Sequence, residues 1–340
     1  MSLALSDINS FPYLNPQKEK KIALITGGNS GIGFYTVLQL YLHGYIVYIA
    51  GRSKSKSLKS IHELKLKSIE IRSNYTNEEN MSRFLGELNY LEIDLSNLNS
   101  VIKAVETFKH RETSLHLLIN NAGAMAIPYI KTQDDFEIQF QTNYISQFLL
   151  TIKLLPIMER TILKSPKISS PRIIYLNSIG HKFIFSKYLF NLNYEYNLKP
   201  NFIFTWIRYG IAKTSGIHFM KMLSLRNPKI LSLVVHPGLI MNTNLFTYWT
   251  NLPIVGILFW CFFQIFSYFF GISYQQGSYE VLNCCLNPRL NIEVDNGKCY
   301  SNNGTECETS NISSDMDQAA RTWIWTIREL NKRGINIPEH

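Results

Sequence analysis

The chain of 340 residues, 46% of them hydrophobic and 17% charged, can bury a large core and lies at the upper end of what one domain holds. Its formal net charge of +9 comes from lysines spread in short groups without interleaved aromatic residues, which argues against nucleic acid as a partner. The five cysteines have neither metal-ligand nor redox-pair spacing, which argues against a disulfide scaffold or a metal site and indicates a reducing compartment.

The first 20 residues form an arm ahead of one folded domain. Residues 1–20 place their basic side chains last, which is the wrong order for a secretory signal peptide, and we expect an exposed arm. Residues 21–340 then predict a single domain with insertions.

A glycine turn lies between the first two predicted strands. Residues 21–52, KIALITGGNSGIGFYTVLQLYLHGYIVYIAGR, predict a strand, a helix and a second strand. Glycines in such a turn let the backbone approach a pyrophosphate and begin the helix whose amides face the anion. This context favours dinucleotide binding over a tight turn without a ligand. The candidate residues are Thr26, Gly27, Asn29, Ser30, Gly31, Ile32 and Gly33.

The end of the second predicted strand bears on the choice of cofactor. In dinucleotide folds an acidic residue at this place holds the ribose hydroxyls of NAD, whereas a nearby arginine accommodates the additional phosphate of NADP. Here the sequence reads AGRSKSK at residues 50–56. Arg52 therefore predicts NADP(H), and the alternative is an ordinary basic loop.

Two further strands are predicted before residue 125. The segments YLEIDLS and LHLLINNAG end near Asp94 and Asn120 and are separated by a helical pattern. Strands that alternate with helices predict an α/β fold with a doubly wound parallel sheet, whose ligands lie at the carboxyl ends of the strands. The candidate cofactor residues at these ends are Asp94, Leu95, Asn121, Ala122 and Gly123.

Short motifs across residues 20–245 resemble those of the short-chain dehydrogenase/reductase family. They are TGGNSGIG at 26–33, NNAG at 120–123, YGIAK at 209–213 and HPG at 236–238. The glycine spacing is that of the TGxxxGxG subtype, and the whole run is similar to the retinol-dehydrogenase-like branch. This resemblance implies a Rossmann-type enzyme that transfers hydride between a nicotinamide and an alcohol or carbonyl carbon.

The residues themselves indicate the same chemistry. Of the 19 tyrosines, Tyr209 alone has a lysine four residues later, Lys213, so the two share one face of a predicted helix. A neighbouring ammonium favours the ionised phenol and would bring its pKa closer to neutral. Ser178 closes the apolar segment RIIYLNS, where its hydroxyl could bond a substrate carbonyl. The alternatives are an ordinary helix face and a strand-end cap.

The resemblance assigns four more residues. Asn143 matches the family residue that holds a water between the lysine and solvent, and Pro237 and Gly238 match the cofactor-binding HPG turn. Thr243 matches the contact to the nicotinamide amide but follows HPG one residue later than the family pattern.

The segment between the serine and the tyrosine is longer than in the family. About thirty residues separate Ser178 from Tyr209. This insertion, residues 183–206, is rich in aromatic side chains and could wall a lipid-sized pocket or form a packed surface loop.

An uncharged, aromatic-rich segment follows the sixth predicted strand. Residues 249–274 contain no acidic or basic side chain, and the strongly apolar part, the 21 residues 252–272, is just long enough to span a bilayer. The sheet is completed after this segment, so a full crossing would divide it. A shallow membrane anchor is favoured over a pure substrate lid, because so many apolar side chains would be a solubility liability.

The sequence therefore predicts a single doubly wound α/β domain with an apolar insertion after the sixth strand. We expect an NADP(H)-dependent oxidoreductase that acts on a hydrophobic, lipid-like alcohol or carbonyl. Its expected location is the cytosolic face of the endoplasmic reticulum or a lipid droplet, contacted through residues 249–274. The rival interpretation is a cofactor-bound protein without turnover that organises lipid droplets, and a homo-oligomer stays open.

Overall fold

The computed structural model describes most of the chain. The described residues are 8–164, 170–238, 240, 256, 271–301 and 304–337. Thr243, residues 1–7 of the arm and nearly all of the apolar segment 249–274 lie outside them.

One eight-stranded sheet forms the centre of the fold, in the order β3-β2-β1-β4-β5-β6-β7-β8. The strands are β1 (Ile22–Thr26), β2 (Ile46–Gly51), β3 (Glu87–Glu92), β4 (Leu117–Asn120), β5 (Arg172–Leu176), β6 (Leu231–Val235), β7 (Cys299–Ser301) and β8 (Thr305–Glu306). Neighbouring strands pair in parallel from β3 to β7, and only β8 is antiparallel. The predicted doubly wound parallel sheet is confirmed.

Helices connect the strands. They are α1 (Gly31–Leu42), α2 (Lys54–Arg72), α3 (Asn77–Ser82), α4 (Leu98–Arg111), α5 (Ile138–Phe140), α6 (Ser146–Lys164), α7 (Asn201–Arg226), α8 (Tyr274–Leu286), α9 (Asn311–Ser314) and α10 (Met316–Lys332). A π-helical turn, Gln141–Ile145, joins α5 to α6.

The sheet is buried on both faces because alternate residues of each central strand enter two separate cores. In β1, Ile22 and Leu24 pack in one core, whereas Ala23 and Ile25 pack in the other. Strands covered on both sides read as continuous apolar runs, as IALIT does. Each fully buried Leu or Ile side chain contributes about 1.5–3 kcal/mol relative to an exposed one.

The described part of the N-terminal arm is packed against the domain. Phe11 and Leu14 are buried in the core that also contains Ala23. The Leu14 amide donates to the carbonyl of His43, 3.0 Å away. The expectation of an exposed arm is therefore wrong for these residues, whose apolar side chains cover the end of α1.

A buried arginine ties the C-terminal part of the chain to the sheet. The Arg172 guanidinium, at the start of β5, donates to the carbonyl oxygens of Cys284, Asn287 and Leu290 at 2.8–3.3 Å. These carbonyls lie at and just beyond the end of α8, where a helix lacks intrahelical donors and favours positive charge. Arg172 thereby fixes α8, which begins beside the crevice described below.

Among the residues that the structure describes, no helix combines the length and apolarity needed to cross a membrane.

Candidate active site

The glycine turn after β1 has the conformation that its residues predict. Gly27 and Gly31 adopt positive φ angles of 66° and 57°, a region that side chains with a Cβ rarely enter. A Cβ at Gly33 would lie 2.4 Å from the Gly27 carbonyl oxygen, so the turn and the first turn of α1 pack too closely for any other residue. Ser30 precedes α1 without capping it through its side chain, which leaves the first helical amides facing the crevice for an anion.

Thr26 has a structural role behind the turn. Its hydroxyl oxygen accepts hydrogen bonds from the amides of Asn121 and Ala122, both at 3.0 Å. The Asn121 side chain in turn donates to the Thr26 carbonyl at 2.8 Å. These bonds hold the loop after β4 beside the loop after β1, so both line one crevice.

The three residues predicted to be catalytic lie together. Ser178 follows β5 and precedes a short 3-10 helix, Ile179–Phe183. Its hydroxyl oxygen accepts from the Gly180 amide at 3.2 Å and lies near enough to the Tyr209 phenol on α7 to lower the pKa of that phenol. Gly180 permits this approach, because a Cβ there would lie 2.5 Å from the Tyr209 ring. The hydroxyl and the phenol can therefore contact the same substrate oxygen.

Lys213 lies one helical turn after Tyr209 and is buried. Its ammonium donates to the Leu176 carbonyl at 2.8 Å and lies 5.7 Å from the centre of the Tyr209 ring. Burial lowers the pKa of Lys213 to about 8, because the charged amine has lost most of its water.

Burial also dominates the ionisation of the phenol. It raises the pKa of Tyr209 to about 12, and the hydrogen bond from Ser178 opposes this only in part. The expectation that the neighbouring ammonium would bring this pKa closer to neutral is not met, because desolvation of the phenolate outweighs the attraction. At neutral pH Tyr209 is therefore protonated and can donate a proton.

Asn143 supports the site from behind. It lies in the π-helical turn, and its side chain exchanges two hydrogen bonds of 2.7 Å with the backbone of Ala124. The backbone carbonyl of Asn143 accepts a hydrogen bond from the Tyr175 hydroxyl. Each of these two Asn143 oxygens, one in the side chain and one in the backbone, keeps a second lone pair that could accept a hydrogen bond from the predicted water.

One crevice of about 850 Å³ brings the predicted residues together. The predicted residues that line it are Gly27, Asn29, Ser30, Gly31, Ile32, Gly33, Arg52, Asp94, Leu95, Asn121, Ala122, Gly123, Ser178, Tyr209, Lys213, Pro237 and Gly238. Thr26 and Asn143 lie behind its wall, and Thr243 is outside the described residues.

Apolar side chains also line the crevice, and the sequence predicted such a wall only for the insertion 183–206 and, as a lid, for the segment 249–274. They are Met125, Ile127, Ile138, Ile179, Phe183, Trp206, Ile240 and Tyr274. Phe183 and Trp206 are the two ends of the aromatic insertion and meet edge to face, with ring centres 5.6 Å apart. The middle of the insertion, residues 191–196, instead lines a separate cavity of about 220 Å³. The two ends of the insertion thus form a pocket wall, whereas its middle is a loop that packs away from the crevice.

Comparison with known proteins places the chain among oxidoreductases. The family model described as short chain dehydrogenase matches residues 21–183. The short-chain dehydrogenase/reductase drtF of Aspergillus calidoustus is 32% identical over 96% of this chain and 98% of its own length. Mouse retinol dehydrogenase 12 is 32% identical over 91% of this chain and 86% of its own length.

A solved structure has the same fold. L-sorbose reductase from Gluconobacter frateurii, complexed with NADPH and L-sorbose, superimposes with a TM-score of 0.60 at 16% identity, over 86% of this chain and 98% of that one.

Replacing the buried lysine tests whether its charge opposes folding. A lysine whose pKa falls from 10.5 to about 8 destabilises the folded chain by roughly 3 kcal/mol while it is protonated. After about 1 kcal/mol is subtracted for the lost hydrogen bond to Leu176, Lys213→Met should raise the free energy of unfolding by about 2 kcal/mol at pH 7. Urea denaturation measures it.

The sign of the pH dependence follows from the lowered pKa. Below about pH 8 the amine is charged in both states, so the gain is complete, and it disappears as the pH rises through 10.5. Lys65→Met, on the exposed side of α2, should change little at any pH. If Lys213→Met instead lowered the free energy of unfolding by the same amount at pH 7 and pH 10, burial of the Lys213 charge would not destabilise the folded chain.

Proposed function

The chain belongs to the short-chain dehydrogenase/reductase family, and on that basis we propose that it is an NADP(H)-dependent oxidoreductase that reduces or forms a carbonyl on a hydrophobic substrate. The observation that carries this proposal is the meeting of Ser178, Tyr209 and Lys213 in the crevice that the glycine turn opens. A phenol, a hydroxyl and an ammonium around one point suit proton transfer to a carbonyl oxygen.

The cofactor end of the crevice fits a dinucleotide. The positive φ angles of Gly27 and Gly31 and the contact of Gly33 with Gly27 leave a backbone cradle that a Cβ would fill. Asp94 and Arg52 line the crevice further along, where the adenosine part would bind. When bound, the nicotinamide would supply or accept the hydride.

The chain's own residues would handle the oxygen and the proton. A substrate carbonyl between Ser178 and Tyr209 accepts a hydrogen bond from each, and both bonds strengthen as negative charge develops on the oxygen. Tyr209 is protonated at neutral pH because its pKa is raised to about 12, so it donates the proton in reduction. The Lys213 ammonium then stabilises the phenolate that remains. In the oxidation direction Tyr209 must first be ionised to accept a proton, so the rate of oxidation should rise with pH.

Removing the phenol hydroxyl tests this role. Tyr209→Phe should lower kcat for reduction of a lipid-like carbonyl with NADPH by about 10²–10⁴-fold, since the general acid is lost. The dissociation constant for NADPH, followed by its fluorescence, should stay within a few-fold. Tyr188→Phe is the matched control, because Tyr188 is 94% exposed.

Two results would count against the proposal. Turnover retained in Tyr209→Phe would show that another residue is the general acid. A wild-type chain that binds NADPH but reduces no carbonyl in a broad lipid panel would favour the rival, a non-catalytic organising protein.

Arg52 supports the choice of NADP(H). It follows β2 directly, is exposed, and lines the crevice with the glycine turn. The next residue, Ser53, caps α2 by accepting from the Lys56 amide at 3.4 Å. A guanidinium at this place can pair with the additional phosphate through two parallel hydrogen bonds.

A charge reversal at this position tests the preference. Arg52→Asp should weaken the kcat/KM for NADPH by about 10–100-fold, since a charge-assisted bond of about 1.5–3 kcal/mol is lost, and should leave or improve that for NADH. Lys59→Asp is the control, because it reverses an exposed charge on α2 further from the crevice. A wild-type chain that prefers NADH would contradict the assignment of NADP(H) from Arg52.

The catalytic end of the crevice supports a hydrophobic substrate. Ile179, Phe183 and Trp206 line it beside Tyr209, and such a surface binds apolar groups by excluding water. The relative from mouse is named for retinol, an apolar alcohol. A lipid-like alcohol or carbonyl is the substrate class that we propose.

We also propose that residues 249–274 anchor the protein on an endoplasmic-reticulum or lipid-droplet surface. Two described residues support the idea: Ile240 precedes the segment, Tyr274 is its last residue, and both line the crevice. The segment therefore begins near the crevice and ends in it, where the Tyr274 ring packs beside Gly31 of the glycine turn. A lipid that this segment contacted would lie close to the crevice.

Replacing residues 252–272 with a Gly/Ser linker tests the anchor. The variant should lose flotation with phospholipid-coated oil droplets, because 16 hydrophobic residues are removed from the surface contact, while it still binds NADPH. The control is Phe185→Ser with Tyr188→Ser, which removes two exposed aromatic side chains elsewhere. A linker variant that still floats would leave the segment only the role of a lid.

A further inference from the structure

Two cysteines face each other across the hairpin at the edge of the sheet. Cys299 begins β7, and Cys307 directly follows β8. The Cys307 amide donates to the Cys299 carbonyl at 2.8 Å, so the residues are cross-strand neighbours. Their sulfur atoms are 2.9 Å apart, and both are free thiols in this structure.

The two sulfurs differ in exposure. Cys299 is 5% exposed, whereas Cys307 is partly exposed. A reagent in solution can therefore reach Cys307 first. The buried sulfur is then in place to attack whatever forms on the exposed one.

Their ionisation differs in the same sense. The pKa of Cys307 is lowered to about 7, mainly because the Cys299 thiol donates a hydrogen bond to it, with further help from Ser301 and Lys182. The pKa of Cys299 is raised by the same hydrogen bond and by burial. Since the thiolate is the reactive form of cysteine, Cys307 is the nucleophile of the pair.

The other described cysteines lack these features. Cys284 and Cys285 are buried in α8, and burial raises the pKa of both thiols. Structural cysteines of this kind are inert toward reagents in solution.

We propose that Cys299 and Cys307 form a redox-active dithiol site whose substrate is a low-molecular-weight disulfide such as oxidised glutathione. The Cys307 thiolate attacks one sulfur of the reagent, a mixed disulfide forms, and one glutathione thiolate leaves. Cys299 then gives its proton through solvent to a released glutathione thiolate and attacks the Cys307 sulfur, and the Cys307–glutathione bond breaks as the second glutathione thiolate leaves and takes a proton from solvent. Two protein thiols are oxidised to one disulfide while one oxidised glutathione is reduced to two thiols.

The hairpin can accommodate the bond. A disulfide joins its sulfurs at about 2.0 Å, so the two side chains must approach by about 1 Å. Cross-strand neighbours lie within the Cα range that disulfides span. β8 has two residues, both exposed, and pairs on one side only, so it can shift more easily than a central strand. The site does not depend on the proposed carbonyl chemistry.

The test uses the reduced full-length chain, oxidised glutathione, alkylation of the remaining thiols and mass mapping of peptides. The wild type should acquire a Cys299–Cys307 disulfide that dithiothreitol reverses. Cys299→Ser should instead keep glutathione on Cys307, because the second attack is missing. Cys307→Ser should leave Cys299 unmodified, and Cys285→Ser is the matched control that behaves as the wild type.

A measurement on the wild type alone guards against variants that misfold. Limiting iodoacetamide at neutral pH should alkylate Cys307 at least about tenfold faster than Cys284 or Cys285, in line with its larger thiolate fraction. Equal rates, a wild type that keeps glutathione without closing the disulfide, or glutathione on Cys299 in Cys307→Ser would overturn the proposal.

Discussion

Parallel pairing of β1, β4 and β5 is the constraint on which the rest of the structure depends. The register places Ile25 beside Ile119 and Ile119 beside Ile174, so all three strands end at the same edge. The glycine turn, Asn121 and Ser178 follow these strands, so all of them lie at that edge. The order of strands also changes direction between β1 and β4, which opens a crevice at that edge. Strand pairing therefore brings cofactor and catalytic residues from distant parts of the chain to one edge, and local hydrogen bonds such as those of Thr26 then fix their positions.

Sequence reasoning succeeded where function depends on local backbone requirements. The glycine turn, the ends of β3 and β4, and the helical spacing of Tyr209 and Lys213 are readable because each depends on a few adjacent residues. It left alternatives open, or gave no signal, where a role depends on residues far apart. Both roles of the insertion stayed open because Phe183 and Trp206 form one wall only when the residues between them fold away. Cys299 and Cys307 have no recognisable spacing, because a hairpin, rather than a helical turn, joins them.

The same limit explains the two errors about polarity. The arm was expected to be exposed because its basic residues come last, which does not fit a signal peptide, but Phe11 and Leu14 are enough to dock it. The pKa of Tyr209 was expected to fall because Lys213 is close, yet burial raises it to about 12. Composition and spacing do not show how deeply a side chain is buried. Loss of water on burial decides both the docking of the arm and the pKa of Tyr209.

Burial of the lysine has a structural cause outside the catalytic set. The Tyr175 ring lies 5.7 Å from the Lys213 ammonium, and its hydroxyl reaches the Asn143 carbonyl. Space for this ring exists because residue 216 is glycine: a Cβ there would lie 2.3 Å from it. One buried aromatic residue thus encloses the ammonium and fixes the π-helical turn. Since Tyr175 lies in β5 and Gly216 in α7, the packing of that helix on the sheet sets the environment of the reactive amine.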